Sequence, residues 1–306
     1  MPLRIDQRLE RLQTRLRETA FWRARQTREI EGWRCDGEPI AIGAAWPRRD
    51  EILRFEAAAS VPDDWPLEET RLSLDLGGES LLTLEYEGGE RVAFGLDVNH
   101  QEFPLAGRRL AIRSESVARR PFGQPVAEPR LQRARFVRLD LALVRFADLV
   151  AIVVEAAETL AAHEAAELLV EAAEAALRTI DWPSTPADYI ARVAAAPSQQ
   201  SLWRRPVTKP DPAPLSDSER ASIAAAEAAL RARLAELRRR FPPQGEVAMT
   251  GHAHIDLAWL WPYEETRRKL RRSFSTALAL MQSAPEFRFN QSSAHFYAQV
   301  SISTEI

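Results

Sequence analysis

The sequence predicts an α+β multidomain chain: an N-terminal antiparallel β-sandwich, a helical linker region, and then the first βαβ elements of an α/β domain. Three observations carry this. Between about 38 and 138, apolar and polar side chains alternate in short runs separated by glycine pairs, with no helical stretch between them. Residues 140–200 are alanine-rich and helical in pattern. From 244 onward an apolar run, a loop, an amphipathic stretch and a second short alternating run follow one another, which is the opening of a βαβ unit. The expected divisions are 1–37 (amphipathic helix and lead-in), 38–140 (β-sandwich), 141–243 (helical region with a proline-rich linker near 204–216) and 244–306 (start of the α/β domain).

The first element is a helix over 4–22, because Ile5, Leu9, Leu12 and Leu16 recur at spacings of four, three and four and make one apolar stripe. In the β region, Leu72, Leu74 and Leu76 share a strand face, Leu82, Leu84 and Tyr86 a second, and Val92, Phe94 and Leu96 a third. Glycine pairs at 77–78 and 88–89 supply the turns. Further strands are expected at 51–59, 108–113 and 131–138, and their aromatics fall mostly at alternating core positions. The window 141–162 is the most apolar of the chain, but Arg145, Asp148 and Glu155 interrupt it, so it reads as a buried helix rather than a membrane span. Breaks are expected at 181–186 and 196–201. The prolines of 204–216 then end in a capping box, Ser216 with Glu219, that opens a helix to about Arg240. "EVAMTG" (246–251) reads as a short buried strand. Pro262 reads as the first residue of a helix to about Gln282, and 286–293 as a second strand followed by a helix start.

The bulk numbers exclude several classes of function. Of 306 residues 45% are hydrophobic and 28% charged, and the net charge is −3, so there is no global basic field to recruit nucleic acid. The N-terminus is charged throughout and has no apolar core of a signal peptide, and the single cysteine, Cys35, suits a reducing compartment. The expectation is a cytoplasmic protein with no membrane partner. There is no glycine-rich phosphate loop, no G-x-S-x-G and no cysteine–histidine pair, so nucleophilic serine or cysteine chemistry has no foothold.

The chemistry concentrates in "GHAHIDLAWLWPYEET". Residues two apart in a strand point the same way, so His252, His254 and Asp256 project together if the extended backbone continues past Gly251. Imidazole and carboxylate on one side, at the C-terminal end of a strand, suit Zn²⁺ or another borderline divalent ion. The competing reading is that the histidines cap the next helix or are satisfied by backbone groups. Trp259 and Trp261 also alternate, so one could line a ligand while the other lies in the core. The run "RRKLRR" (267–272) reads as a solvated helix face, partly neutralised by Glu264 and Glu265.

Beyond this residue-level reading, the stretch "TGHAHIDLAWLWPYEETRRKLRRSFSTALALMQSAPEFRFNQSSAHFY" resembles the opening of the catalytic domain of glycoside hydrolase family 38 α-mannosidases, the cytosolic-type and bacterial branch most closely. It matches G-H-x-H-x-D-x-A-W-L-W-P-x-x-E-T-x-x-K at each named position. "VPDDWPLEETRLSLDLGGES" and "FGLDVNHQEFPL" resemble that branch's N-terminal β-domain, so the likeness runs from about 30 to 298.

The resemblance implies a zinc-dependent retaining glycosidase with a β/α-barrel-like catalytic domain, acting on terminal α-mannosyl residues of oligosaccharides. It assigns His254 and Asp256 as two of four metal ligands, His252 as a supporting neighbour, and Trp259 as a wall of the sugar subsite. The metal is implied to hold sugar hydroxyls and help distort the ring. The family's nucleophilic aspartate and its last metal-binding histidine are implied to follow later than Ile306, so no catalytic residue is expected within these 306 and the chain alone is expected to be inactive. Homo-oligomerisation is left open. One departure is His295, in "SSAHFY", where the family carries glutamine. Two other readings stay open: a metal-dependent amidohydrolase that uses His252 and His254 together, and a non-catalytic carbohydrate-binding or interaction module built on the β-domain.

Overall fold

A computed structural model describes residues 3–183 and 214–302. The expected helix breaks beyond 183 and the proline-rich stretch up to 213 lie outside the described residues. The chain divides into two compact units: Met1–Thr27 with Arg138–Glu246, and Arg28–Val137 with Val247–Ile306.

The first unit is helical: α1 (Ile5–Thr19), α2 (Leu141–Thr159), α3 (Glu164–Arg178) and α4 (Asp217–Arg240). The stripe on α1 buries Leu9 and Leu12 in one cluster with Leu143, Phe146 and Val150 of α2, Val170 of α3, and Ile223 and Leu230 of α4. Arg8 on α1 ties that face to α3 through Glu167 (2.8 Å) and Glu174 (2.9 Å). The hydrogen bond from Arg8 holds the Glu174 carboxyl below its ordinary pKa. Asp140 caps α2 by accepting the Leu143 N–H at 3.3 Å. The capping box of α4 forms as expected: Ser216 Oγ accepts the Glu219 N–H (3.3 Å) and Glu219 accepts the Ser216 N–H (2.6 Å). Among the described residues no helix is long and apolar enough to cross a membrane.

The second unit is built around two sheets. One has the order β1 (Ala24–Glu29), β10 (Arg133–Leu139), β5 (Thr70–Asp75), β8 (Glu102–Pro104). The other runs β3 (Glu38–Pro39), β2 (Arg34–Cys35), β4 (Leu53–Ser60), β9 (Arg109–Val117), β6 (Glu79–Tyr86), β7 (Arg91–Leu96) and is antiparallel throughout. Leu82 of β6 stands opposite Phe94 on one side and Ser114 on the other. The apolar faces of both sheets meet in one core, Leu72, Leu74, Phe103 and Phe136 from the first and Leu53, Phe55, Leu84 and Ile112 from the second. Gly78 permits the tightest approach, since a Cβ there would sit 2.1 Å from the Val117 carbonyl oxygen. Cys35 lies in this core, and burial, with the Asp36 charge adding to it, pushes its thiol up to about 11.

The same unit holds β11 (Gly251–His252), α5 (Tyr263–Ser283), β12 (Phe289–Asn290) and α6 (Ala294–Ile302), with β11 and β12 parallel. The class is therefore α+β with antiparallel sheets, followed by one short βαβ unit. Helix α5 packs against β7 and β6, and the Gly95 N–H of β7 donates to Thr276 Oγ1 at 2.8 Å. Three expectations are corrected here. "EVAMTG" is not a buried strand: Val247 and Met249 are 83% and 86% exposed, and only Gly251 and His252 pair. The reason is that β11 has one partner strand, whereas parallel strands are buried only with neighbours and cover on both faces. The second strand shrinks from 286–293 to Phe289–Asn290 for the same reason. Pro262 is the cap of α5 with extended backbone (ψ 160°), and Tyr263 is the first helical residue.

Candidate functional site

The site begins where β11 ends. Gly251 donates its N–H to the Arg288 carbonyl at 2.6 Å, and a Cβ there would meet the Phe287 ring at 2.9 Å, so a larger residue would push that ring aside. His252 Nδ1 lies 3.2 Å from the Asn290 carbonyl oxygen, the geometry of a ring N–H donating across the strand pair. The Gln291 side chain donates to the Ala253 carbonyl at 2.6 Å and fixes the exit of the loop.

Past His252 the backbone leaves the strand conformation, yet His254 and Asp256 still meet. Nε2 of His254 is 3.4 Å from Oδ1 of Asp256, with side chains 84% and 44% exposed. A tetrahedral zinc with bonds of about 2.0–2.2 Å spaces neighbouring donors about 3.3–3.6 Å apart. In chemistry and spacing the pair therefore fits one edge of such a site. Among the described residues no group of three or more His, Cys, Asp or Glu is assembled for a metal, so the pair supplies two donors and no more. A groove of about 560 Å³ lies at residues 45–51 and 127–130, and none of the motif residues lines it.

The two tryptophans separate. Trp261 is buried: its Nε1–H donates to Thr266 Oγ1 at 3.0 Å, and the Lys269 ammonium lies 4.8 Å from its ring centre. Trp259 stands edge-on to it, ring centres 5.4 Å apart, and remains 54% exposed. Thr266, fully buried, closes the loop from beneath, with its hydroxyl 2.6 Å from the Leu257 carbonyl and 3.3 Å from that of Asp256. His295 faces the Tyr263 hydroxyl at 2.8 Å.

The helix after the motif corrects another expectation. "RRKLRR" is a solvated face only in part: Arg267 is exposed and pairs with Glu264 at 3.5 Å, and Arg268 pairs with Glu265 at 3.0 Å, as expected, but the rest turns to the sheet. Arg272 is buried and bridges two buried carboxylates, Glu79 of β6 at 2.5 Å and Glu265 at 2.7 Å. Lys269 reaches Glu79 at 3.0 Å, and Arg271 reaches Glu115 of β9 at 3.0 Å. The charges meet partners carried by the β-sheet, which local charge patterning along one helix does not reveal. The link between Glu79 and the motif was missed for that reason.

Comparison with known proteins bears on the same segment. Residues 244–304 match the model of the glycosyl hydrolases family 38 N-terminal domain. The chain is 57% identical over 51 residues to alpha-mannosidase 2C1 of Homo sapiens, covering 17% of this chain and 5% of that protein. It is 50% identical over 54 residues to alpha-mannosidase G of Dictyostelium discoideum, covering 18% and 5%. It is 54% identical over 44 residues to an alpha-mannosidase of Saccharomyces cerevisiae, covering 14% and 4%. The matched segment thus spans about one-twentieth of each relative. Residues 244–304 resemble the N-terminal domain of family 38 α-mannosidases, as the motif wording implies.

Proposed function

We propose that these 306 residues are the N-terminal portion of a zinc-dependent, retaining, cytoplasmic α-mannosidase with a barrel-like catalytic domain. Its substrate would be the terminal α-mannosyl residues of oligosaccharides. The observation that carries the reading is the facing pair His254 and Asp256, 3.4 Å apart inside the segment that matches the family. These two residues would hold the zinc. When bound, zinc supplies a Lewis-acid anchor for sugar hydroxyls. Trp259 offers its exposed face to the apolar side of the ring, and His252, spent on the Asn290 carbonyl, keeps the strand pair closed beneath the loop. The buried free thiol of Cys35 agrees with a reducing compartment.

Hydrolysis with retention needs two further carboxyl groups about 5–5.5 Å apart, one as nucleophile and one as acid/base. Near the pair the motif offers Glu264, which is engaged with Arg267 at 3.5 Å, and Glu265, which is buried against Arg272. Glu265 is not free for that task, and Glu264 is a single exposed carboxyl without a second beside it in the motif. The remaining metal donors and both catalytic carboxyls would come from polypeptide other than the described residues, and the 306-residue chain does not turn over substrate. Purified chain with added zinc is expected to release no p-nitrophenol from p-nitrophenyl α-mannoside above the buffer rate. Turnover that disappears in Asp256→Ala would overturn that part of the reading.

A further inference from the structure

The β-sandwich contributes one feature that the His-x-His motif does not contain. Between β9 and β10 the chain makes a tight loop at Pro121–Gly123, closed by the Gly123 N–H donating to the Arg120 carbonyl (3.1 Å) and the Arg120 N–H donating to that of Gln124 (2.7 Å). Phe122 sits in it with φ +67° and ψ 20°, the left-handed region that a bulky aromatic rarely occupies. Such a conformation is strained and persists only where the surrounding structure holds it. Gly123 follows at φ +74°, where a Cβ would lie 3.0 Å from the Trp261 ring and 3.1 Å from the Leu260 carbonyl oxygen. The loop is therefore contoured against the tryptophan segment.

The Phe122 ring is not buried by that contact. It is 53% exposed and stands edge-on to Trp259, ring centres 6.3 Å apart and planes at 87°. Trp261 lies on the buried side of Trp259, so Trp259 and Phe122 form the outward pair, a right-angled aromatic corner open to solvent. Folding alone would place Gly or Asn at such a backbone position and would bury a phenylalanine. An exposed aromatic held in strained backbone beside another exposed aromatic has the form of a binding wall.

We infer that Phe122 is a ligand-binding residue: together with Trp259 it forms a two-sided aromatic subsite for a hexopyranoside ring, contributed by the β-sandwich to the mannoside site. This rests on the sugar-site reading of Trp259 given above. The corner grips the ring's C–H face on one indole and limits what can extend past the Phe122 edge, which makes Phe122 a determinant of specificity as well as affinity.

The test uses the 306-residue chain labelled at its tryptophan indole nitrogens, with zinc present and methyl α-mannopyranoside as the probe. The Trp259 signal is identified by its loss in Trp259→Phe. In the parent, that signal is expected to move on titration. Phe122→Asn suits the left-handed backbone, so its melting temperature should equal or exceed the parent's while mannoside binding weakens about three- to tenfold, the range spanned by an aromatic contact. Phe122→Tyr should restore parent binding. Equal affinity in the parent and in Phe122→Asn would overturn the inference and leave the Trp259 reading standing. A parent whose Trp259 signal never moves would overturn both.

Discussion

Thr266 illustrates how much of the loop depends on a single hydroxyl. It is fully buried, takes the indole N–H of Trp261 and gives its own proton to the Leu257 carbonyl. The indole N–H is buried, and a buried donor without a partner costs about 1–3 kcal/mol. Thr266→Val keeps the shape and removes the hydroxyl. It should destabilise the chain by about 1–3 kcal/mol in urea denaturation, while Thr266→Ser should stay close to the parent. At this scale the sequence was informative about residue types and silent about their fates. His252, His254 and Asp256 were legible as a cluster by their density, but that His252 turns to the Asn290 carbonyl while His254 turns to Asp256 depends on where the backbone leaves β11. Trp259 and Trp261 alternate in sequence, and only packing decides that Trp261 goes inside. Phe122 was not legible at all, because its strained backbone is a property of three dimensions.

Among the elements, α5 and β6 are joined by charge. Glu79 and Glu265 share Arg272, Lys269 adds a second cation to Glu79 and Arg268 a second to Glu265, so two buried acids face three bases. Removing one member of a buried set leaves the others uncompensated at about 3–5 kcal/mol. Glu79→Gln is therefore expected to lose about 3 kcal/mol in denaturant unfolding, whereas Glu115→Gln, which faces the more exposed Arg271, should lose under about 1 kcal/mol. Equal losses from the two would show that the buried set has no special weight. The longer strands β4, β6, β7 and β9 were legible because one face is buried with a period of two, whereas β2, β3 and β8 are two or three residues long and β1 carries too few apolar residues to show a period. The partner of Arg272 was not, since Glu79 stands 193 positions away. Nor was the brevity of β11, because the local apolar run says nothing of how many neighbours a strand will find.

For the molecule as a whole, sequence order conceals the grouping of the site. Residues 247–306 fold into the same compact unit as 28–137, although 138–246 come between them. The β-sandwich thereby supplies Glu79 beneath α5 and Phe122 beside Trp259. The central claim is that His254 and Asp256, and not the two histidines, form the metal-binding edge. Calorimetric titration of zinc into the parent chain and three variants tests it most directly. Parent binding with loss on the order of tenfold or more in His254→Ala and in Asp256→Ala, but near-parent affinity in His252→Ala, is the predicted result. Loss in His252→Ala as large as in His254→Ala, with Asp256→Ala unaffected, would contradict the claim and favour a histidine-pair site of the amidohydrolase kind.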